Sequence, residues 1–172
     1  MLLVGLGNPG KKYEGNRHNA GFMFADYVVN QQVNSPPFKS GFDCEYCEIK
    51  NRQKLIVAKP QKYMNLSGPP VRKLSDFYKI PLSELIVAHD DLDIPLGKFK
   101  IQIGTGPKMH NGLDSLDQYL GSPNYTRIRI GVDNRPPERR LPGEAYVLQD
   151  FTPEEVQILL DLFPVIYSRM AL

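Results

Sequence analysis

The sequence predicts an α/β protein, a single domain over residues 1–172 with a twisted mixed β-sheet and helices on both faces. Three observations predict it. Apolar runs of strand length alternate with stretches whose apolar residues recur at helical spacing. Two strand patterns are adjacent, joined by Asn51-Arg52-Gln53, so a hairpin interrupts the alternation and makes the sheet mixed. At 172 residues, with 41% hydrophobic and 23% charged side chains, the chain has the size and composition of one globular domain with a full core. No repeat, low-complexity stretch or domain linker divides it.

Residues 2–6 read as a buried strand. Residues 21–29 read as a helix, with Phe24, Tyr27 and Val28 at helical spacing. Residues 42–50 and 54–58 are the strands of the hairpin. After Ser67-Gly68, Pro69 and Pro70 suit a first helical turn, and Val71, Leu74 and Phe77 or Tyr78 continue that helix. The run Leu85-Ile86-Val87-Ala88 before His89-Asp90-Asp91 reads as a central strand. Residues 97–103 alternate Phe99, Ile101 and Ile103 with Lys98, Lys100 and Gln102, as a half-exposed strand does. Leu113, Leu116 and Leu120 mark a helix. Residues 126–132 alternate again, with Ile128, Ile130 and Val132 inward. Thr152-Pro153-Glu154-Glu155 is a capping box that opens a last helix, about 153–168, interrupted or bent at Pro164.

The first turn, Gly5-Leu6-Gly7-Asn8-Pro9-Gly10, has the Gly-x-Gly-x-x-Gly spacing of a dinucleotide loop. Its context does not fit. Pro9 lies inside the loop, the next nine residues are polar without helical apolar spacing, and position 30 is Asn where an acid is needed. A strand ending in a tight turn accounts for the glycines. It leaves Asn8, Tyr13, Arg17, His18 and Asn19 unexplained.

Composition excludes some classes. No apolar run reaches the roughly 18 residues of a membrane span, and the N-terminus lacks the basic and small-residue features of a signal peptide, so a cytoplasmic, membrane-free protein is expected. The net charge of +2 is unevenly spread: residues 1–140 carry +6 and residues 141–172 carry −4. A basic body suits an anionic partner without demanding one. Cys44-Glu45-Tyr46-Cys47 lies in a strand pattern, so its thiols face opposite ways. With no second pair to complete a zinc site, they are expected to be structural.

Ligands of open α/β sheets bind beyond the carboxyl ends of the strands. Those positions hold Asn8, Tyr13 and His18, then Tyr63-Met64-Asn65, then His89, Asp90, Asp91 and Asp93, then Lys108, His110 and Asn111. Singly, each has an ordinary structural use. A His before a helix is commonly a cap, Asn in Asn-Leu-Ser-Gly a turn former, and Asp90-Asp91-x-Asp93 either a magnesium site or a solvated turn.

Together they resemble a family. Gly5-Leu-Gly-Asn-Pro-Gly10 with Tyr13 and Arg17-His18-Asn19-Ala20-Gly21 resembles the first signature of the bacterial-type peptidyl-tRNA hydrolases. Lys59-Pro60-x-x-Tyr63-Met64-Asn65-Leu66-Ser67-Gly68 resembles the second, and Val87-Ala88-His89-Asp90-Asp91-Leu92-Asp93-Ile94-Pro95-x-Gly97 the third. His110-Asn111-Gly112-Leu113 and Arg127-Ile128-Arg129-Ile130-Gly131 extend the likeness over residues 2–152.

The resemblance implies hydrolysis of the ester between a peptide and the terminal ribose of tRNA, with no cofactor and no metal. It implies catalytic roles for three residues. His18 is the general base that activates water, Asp90 fixes its tautomer and favours its imidazolium, and Asn8 helps distinguish N-blocked from free aminoacyl-tRNA. Tyr13, Tyr63, Met64, Asn65, His110 and Asn111 fall at substrate-binding positions. Lys98, Lys100, Lys108 and Arg129 are expected on acceptor-stem phosphates, contacts that position RNA without reading its sequence. The implied partner is the acceptor stem and CCA end of peptidyl-tRNA, met by a monomer. The same fold also occurs in RNA-binding splicing partners without useful activity, which is the competing expectation.

The chain departs from the family pattern at Gly106-Pro107-Lys108-Met109, where a run of glycines is usual. It departs again at Asp114 and Gln102, where basic residues occur in other members. These changes bear on RNA affinity and loop motion more than on the chemistry.

Overall fold

The computed structural model describes residues 1–50, 54–139 and 141–170. Seven strands form one mixed sheet: β1 (Leu2–Gly5), β2 (Lys39–Gly41), β3 (Cys44–Lys50), β4 (Lys54–Pro60), β5 (Leu85–Pro95), β6 (Phe99–Ile103) and β7 (Thr126–Asp133). Their order is β2-β3-β4-β1-β5-β7-β6. β4, β1, β5 and β7 are parallel, and β2, β3 and β6 run antiparallel to their neighbours at the two edges. The expected turn Asn51-Arg52-Gln53 lies outside the described residues; the strands it joins pair from Lys50↔Lys54 onward.

Among the described residues five α-helices flank the sheet: α1 (Ala20–Asn30), α2 (Gly68–Tyr78), α3 (Asn111–Leu120), α4 (Gly143–Val147) and α5 (Pro153–Arg169). The period-two alternation of the strands divides the core. Leu3, Val57, Ala88, Ile128 and Ile130 pack against Phe24 and Val28 of α1 and Leu159, Phe163 and Ile166 of α5. Leu2, Val4, Ile56 and Val87 pack on the other face against Val71 and Leu74 of α2 and Leu113 and Leu116 of α3. The buried cysteines are free. Burial pushes the Cys44 thiol up to about 12 and that of Cys47 to about 11, which makes both inert at neutral pH.

One strand differs from the sequence expectation in a way that matters to the site. β5 does not stop at Ala88. It continues through His89, Asp90 and Asp91, all buried, because Asp90 pairs with Ile130 and Asp91 with Gly131 of β7. The short β2 and α4 have no counterpart in the sequence pattern. The capping box is present as expected: the Thr152 hydroxyl accepts from the Glu155 N–H while the Glu155 carboxylate accepts from the Thr152 N–H. Pro164 lies inside an unbroken α5.

Gly5 of the first turn and Gly21 of α1 serve close packing. A Cβ on Gly21 would lie 2.3 Å from the Ala88 carbonyl oxygen and 2.5 Å from the Leu6 nitrogen, and one on Gly5 would lie 2.2 Å from the Gly21 oxygen. Both positions must lack a side chain for α1 to reach the place where β1 and β5 lie side by side. There Phe22 N–H bonds to the Leu6 carbonyl and Leu6 N–H to that of Ala88. The same approach brings the segment just before α1, which carries His18, over the carboxyl end of β1.

Candidate active site

The site forms at the carboxyl ends of the central parallel strands, where open α/β sheets present ligands. Its centre is Asp90, on β5 and only 2% exposed. One oxygen of Asp90, Oδ1, meets two histidines: His18 Nδ1 at 2.8 Å and His110 Nε2 at 3.1 Å. The hydrogen-bond network assigns the tautomers. His110 caps α3, its Nδ1 accepting from Gly112 N–H (3.1 Å) and Leu113 N–H (3.3 Å). That nitrogen therefore carries no proton, and Nε2–H donates to Asp90. Nδ1–H of neutral His18 donates to the same oxygen, which leaves the Nε2 lone pair of His18 as the proton acceptor.

The charges follow from this geometry. Burial works to lower the pKa of His18, but the charge of Asp90 and their hydrogen bond outweigh it, and the net shift is upward. Burial works to raise Asp90, but its electrostatic interaction with His18 and His110 and the hydrogen bonds they donate hold it well below the usual carboxylate range. His89, fully buried, packs edge-on against His110 with ring centroids 5.0 Å apart. Burial, with His110 adding to it, pushes His89 down to about 3, so it stays neutral.

His18 sits in a single 3₁₀ turn, Arg17–Asn19. Asn19 ties that turn to the first loop: its Oδ1 accepts from Asn8 N–H (2.8 Å) and its Nδ2 donates to the Asn8 carbonyl (3.0 Å). The Asn8 side chain turns the other way, its Oδ1 accepting from Met64 N–H at 2.8 Å. The amide orientation is thereby set, and the two Nδ2 protons are the donors Asn8 can offer.

Met64 and Asn65 belong to the 3₁₀ turn Met64–Leu66, which is locked to α3 by the Gly68 N–H bond to Ser115 Oγ (3.0 Å). Met64 is buried; Asn65 beside it and Asn111 beside His110 are exposed. The ring of Tyr13 meets that of Tyr63 edge-on at 6.4 Å between centroids. His18, Asp90, Asn8, Met64, Tyr13 and Tyr63 are thus held on neighbouring elements, with Asn65 and Asn111 on the segments that carry Met64 and His110.

Two of the residues expected to touch the substrate or its phosphates are held within the protein. His110 is expected on the substrate, but both its ring nitrogens bond within the protein and it is 7% exposed, so it supports Asp90 instead. Arg129 is expected on phosphate, but it is buried, its Nε donating to Asp91 Oδ2 and its Nη1 to Gln102 Oε1, each at 2.7 Å. The cause is that Ile128 and Ile130 face α1 and α5, so Arg127 and Arg129 must point towards α3 and the loop before it. There Arg127 pairs with Asp117 and donates to the Gly106 carbonyl. Gly106, at φ +59°, lies so close that a Cβ would sit 2.3 Å from the Arg129 guanidinium carbon. Lys98, Lys100 and Lys108 are exposed.

Metal chemistry has one candidate among the described residues. His18, Asp90 and His110 place one ligand atom each within 4.8 Å of one another, but hydrogen bonds already link these side chains. The Asp90-Asp91-x-Asp93 run does not converge: Asp91 pairs with Arg129, and Asp93 accepts from the Lys108 N–H. Sequence reasoning misses Glu155 as a partner of Arg17, because its only local signal is the capping box.

Comparison with known proteins matches this arrangement to one family. The family model described as peptidyl-tRNA hydrolase matches residues 2–170. A peptidyl-tRNA hydrolase of Bdellovibrio bacteriovorus is 47% identical over 155 residues, covering 90% of this chain and 82% of that protein. One of Rickettsia bellii is 46% identical over 159 residues, covering 92% and 84%. The crystal structure of peptidyl-tRNA hydrolase from Acinetobacter baumannii superposes with a TM-score of 0.87 at 31% identity, covering 97% of this chain and 84% of that one. Among the described residues no helix is long and apolar enough to cross a membrane. The chain belongs to the peptidyl-tRNA hydrolase family.

Proposed function

We propose that the chain hydrolyses the ester of peptidyl-tRNA with His18 as general base. The observation that carries this reading is the single carboxylate oxygen of Asp90 holding His18 through Nδ1. That contact presents a basic Nε2 and requires no Ser or Cys nucleophile. Nε2 takes a proton from water as the oxygen attacks the ester carbonyl. The tetrahedral oxyanion takes a hydrogen bond from Asn8 Nδ2. The imidazolium, stabilised by Asp90, returns its proton to the departing ribose oxygen, giving free peptide and tRNA. Asn65 and Asn111 hold the peptide–ribose junction, with Tyr13, Tyr63 and Met64 beside it. Met64 supplies adaptable apolar contact suited to many peptide sequences. The reaction uses no metal, and the enzyme acts as a cytoplasmic monomer.

The test is release of N-acetyl-amino acid from N-acetyl-aminoacyl-tRNA, with free aminoacyl-tRNA as control. Turnover of the blocked substrate alone, unchanged by a chelator, is the expected result. A folded protein that binds tRNA without turnover would favour the RNA-binding reading instead.

Lys98, Lys100 and Lys108 serve the acceptor-stem phosphates. Lys98→Ala/Lys100→Ala is expected to weaken tRNA binding and to lessen the slope of log K against log salt by about 0.7–0.9 for each phosphate no longer neutralised. The rate at saturating substrate stays as it was. An unchanged salt slope would remove both lysines from the interface.

A further inference from the structure

Two buried charges next to the base have no part in the chemistry above. Arg17 and Glu155 are 6% and 8% exposed at their side chains, and Arg17 Nη2 meets Glu155 Oε2 at 2.5 Å. Arg17 Nη1 also donates to the carbonyls of Gln149 (3.1 Å) and Asp150 (2.8 Å). Its guanidinium carbon lies 4.2 Å from the Tyr146 ring centroid and 5.3 Å from that of Phe151. Glu155 is held in turn: Oε1 accepts from Asn134 Nδ2 and Oε2 from the Thr152 N–H.

The backbones are joined as well. Arg17 N–H donates to the Gln149 carbonyl, Phe151 N–H donates to that of Gly15, and Asn16 bridges to Asp150. A single 3₁₀ turn has little cohesion of its own, so its orientation comes from its flanks. Asn19 anchors one flank to Asn8. The other flank rests on a segment more than 130 residues later in the chain, through Arg17.

We propose that Arg17 and Glu155 are positioning residues for the hydrolysis: their ion pair fixes the turn that carries His18, so that residues 146–155 set the geometry of attack. This rests on the hydrolase reading above. The pair is suited to the role because the planar fork of arginine reaches three acceptors at once, which the single ammonium of lysine cannot do in the same geometry. Misplacement of a reacting group by about 1 Å is enough to cost roughly 10²-fold in rate.

Removing one partner strands a buried charge, so the test uses Arg17→Lys and the double variant Arg17→Gln/Glu155→Gln in the full chain, with folding checked by thermal melting. Three quantities are compared with the native chain: kcat, KM, and the titration of the His18 ring followed by NMR without substrate. The groups facing that ring are Asp90 and His110, whose ring centroid lies 5.1 Å away. In Arg17→Lys, kcat is expected to fall about tenfold with KM unchanged. The His18 titration is expected to move to lower pH as its contact with Asp90 loosens. The double variant shows the same pattern. A folded variant with native kcat and native titration overturns the proposal, as does a loss of rate that only follows the folded fraction. The NMR titration needs no turnover, so it separates failure of this inference from failure of the hydrolase reading.

Discussion

His18→Ala is expected to lower kcat/KM for N-blocked aminoacyl-tRNA by about 10²–10⁴-fold, the range that general-base assistance supplies, while binding of uncharged tRNA is unaffected. Of the two imidazoles joined to Asp90, only that of His18 also turns a nitrogen outward, since His110 spends both of its nitrogens inside the protein. Without it, water meets the ester unassisted and the residual rate comes from binding and from donors such as Asn8. The acid limb of the pH–rate profile should vanish with the side chain. The substitution leaves the fold intact, because Arg17 and Asn19 on either side keep the turn in place. Single-turnover rates at saturating enzyme check this directly. A variant within about tenfold of the native rate would show that another group removes the proton.

Much of this site is legible in the sequence because it is assembled from short segments at strand ends. His18 and Asp90, 72 positions apart, follow the apolar runs of neighbouring strands in a sheet whose alternation of elements is readable. What cannot be read has a common cause. An apolar run is a sound guide to a strand only up to its first polar residue, so the pattern stops β5 at Ala88. The strand continues because Asp90 and Asp91 each find a partner far along the chain, which no local pattern reveals, while His89 bonds to the carbonyl of Asp90 beside it. Arg129 is misplaced for the related reason that a charged residue in a strand reads as exposed. Here Asp91 from β5 and Gln102 from β6 neutralise and satisfy it across the sheet. The Arg17–Glu155 pair spans 138 positions, and β2 and α4 are too short to carry a period. His110 shows the converse: its structural use as a helix cap and its contact with the catalytic acid are one arrangement, since the cap fixes the tautomer that Asp90 requires.

Asp90→Asn separates the two things the carboxylate does. Both histidines touch the same oxygen, so an amide oxygen in that place can accept both hydrogen bonds and keep each tautomer. What disappears is the negative charge. The imidazolium formed in the transition state then lacks its counter-ion, and kcat is expected to fall by about 10²–10³-fold. The pH dependence moves as well. In the native chain burial lowers the His18 pKa and Asp90 more than compensates, so the base is protonated to above its ordinary value of 6.5 and activity rises as pH passes through the raised pKa. The stabilisation from the pair has the opposite sense. It is fully present below 6.5 and is lost as pH rises through the folded value, so the enzyme works where that contribution to stability has faded. With the charge removed, burial outweighs the remaining hydrogen bond at His18, and the acid limb of kcat/KM shifts to lower pH even as the rate drops. Asp90→Ala, which also strands the Nε2–H of His110, should lose more activity and some stability. If the acid limb of Asp90→Asn stays where the native one lies, the titrating group is not His18, and the assignment of the base fails with it.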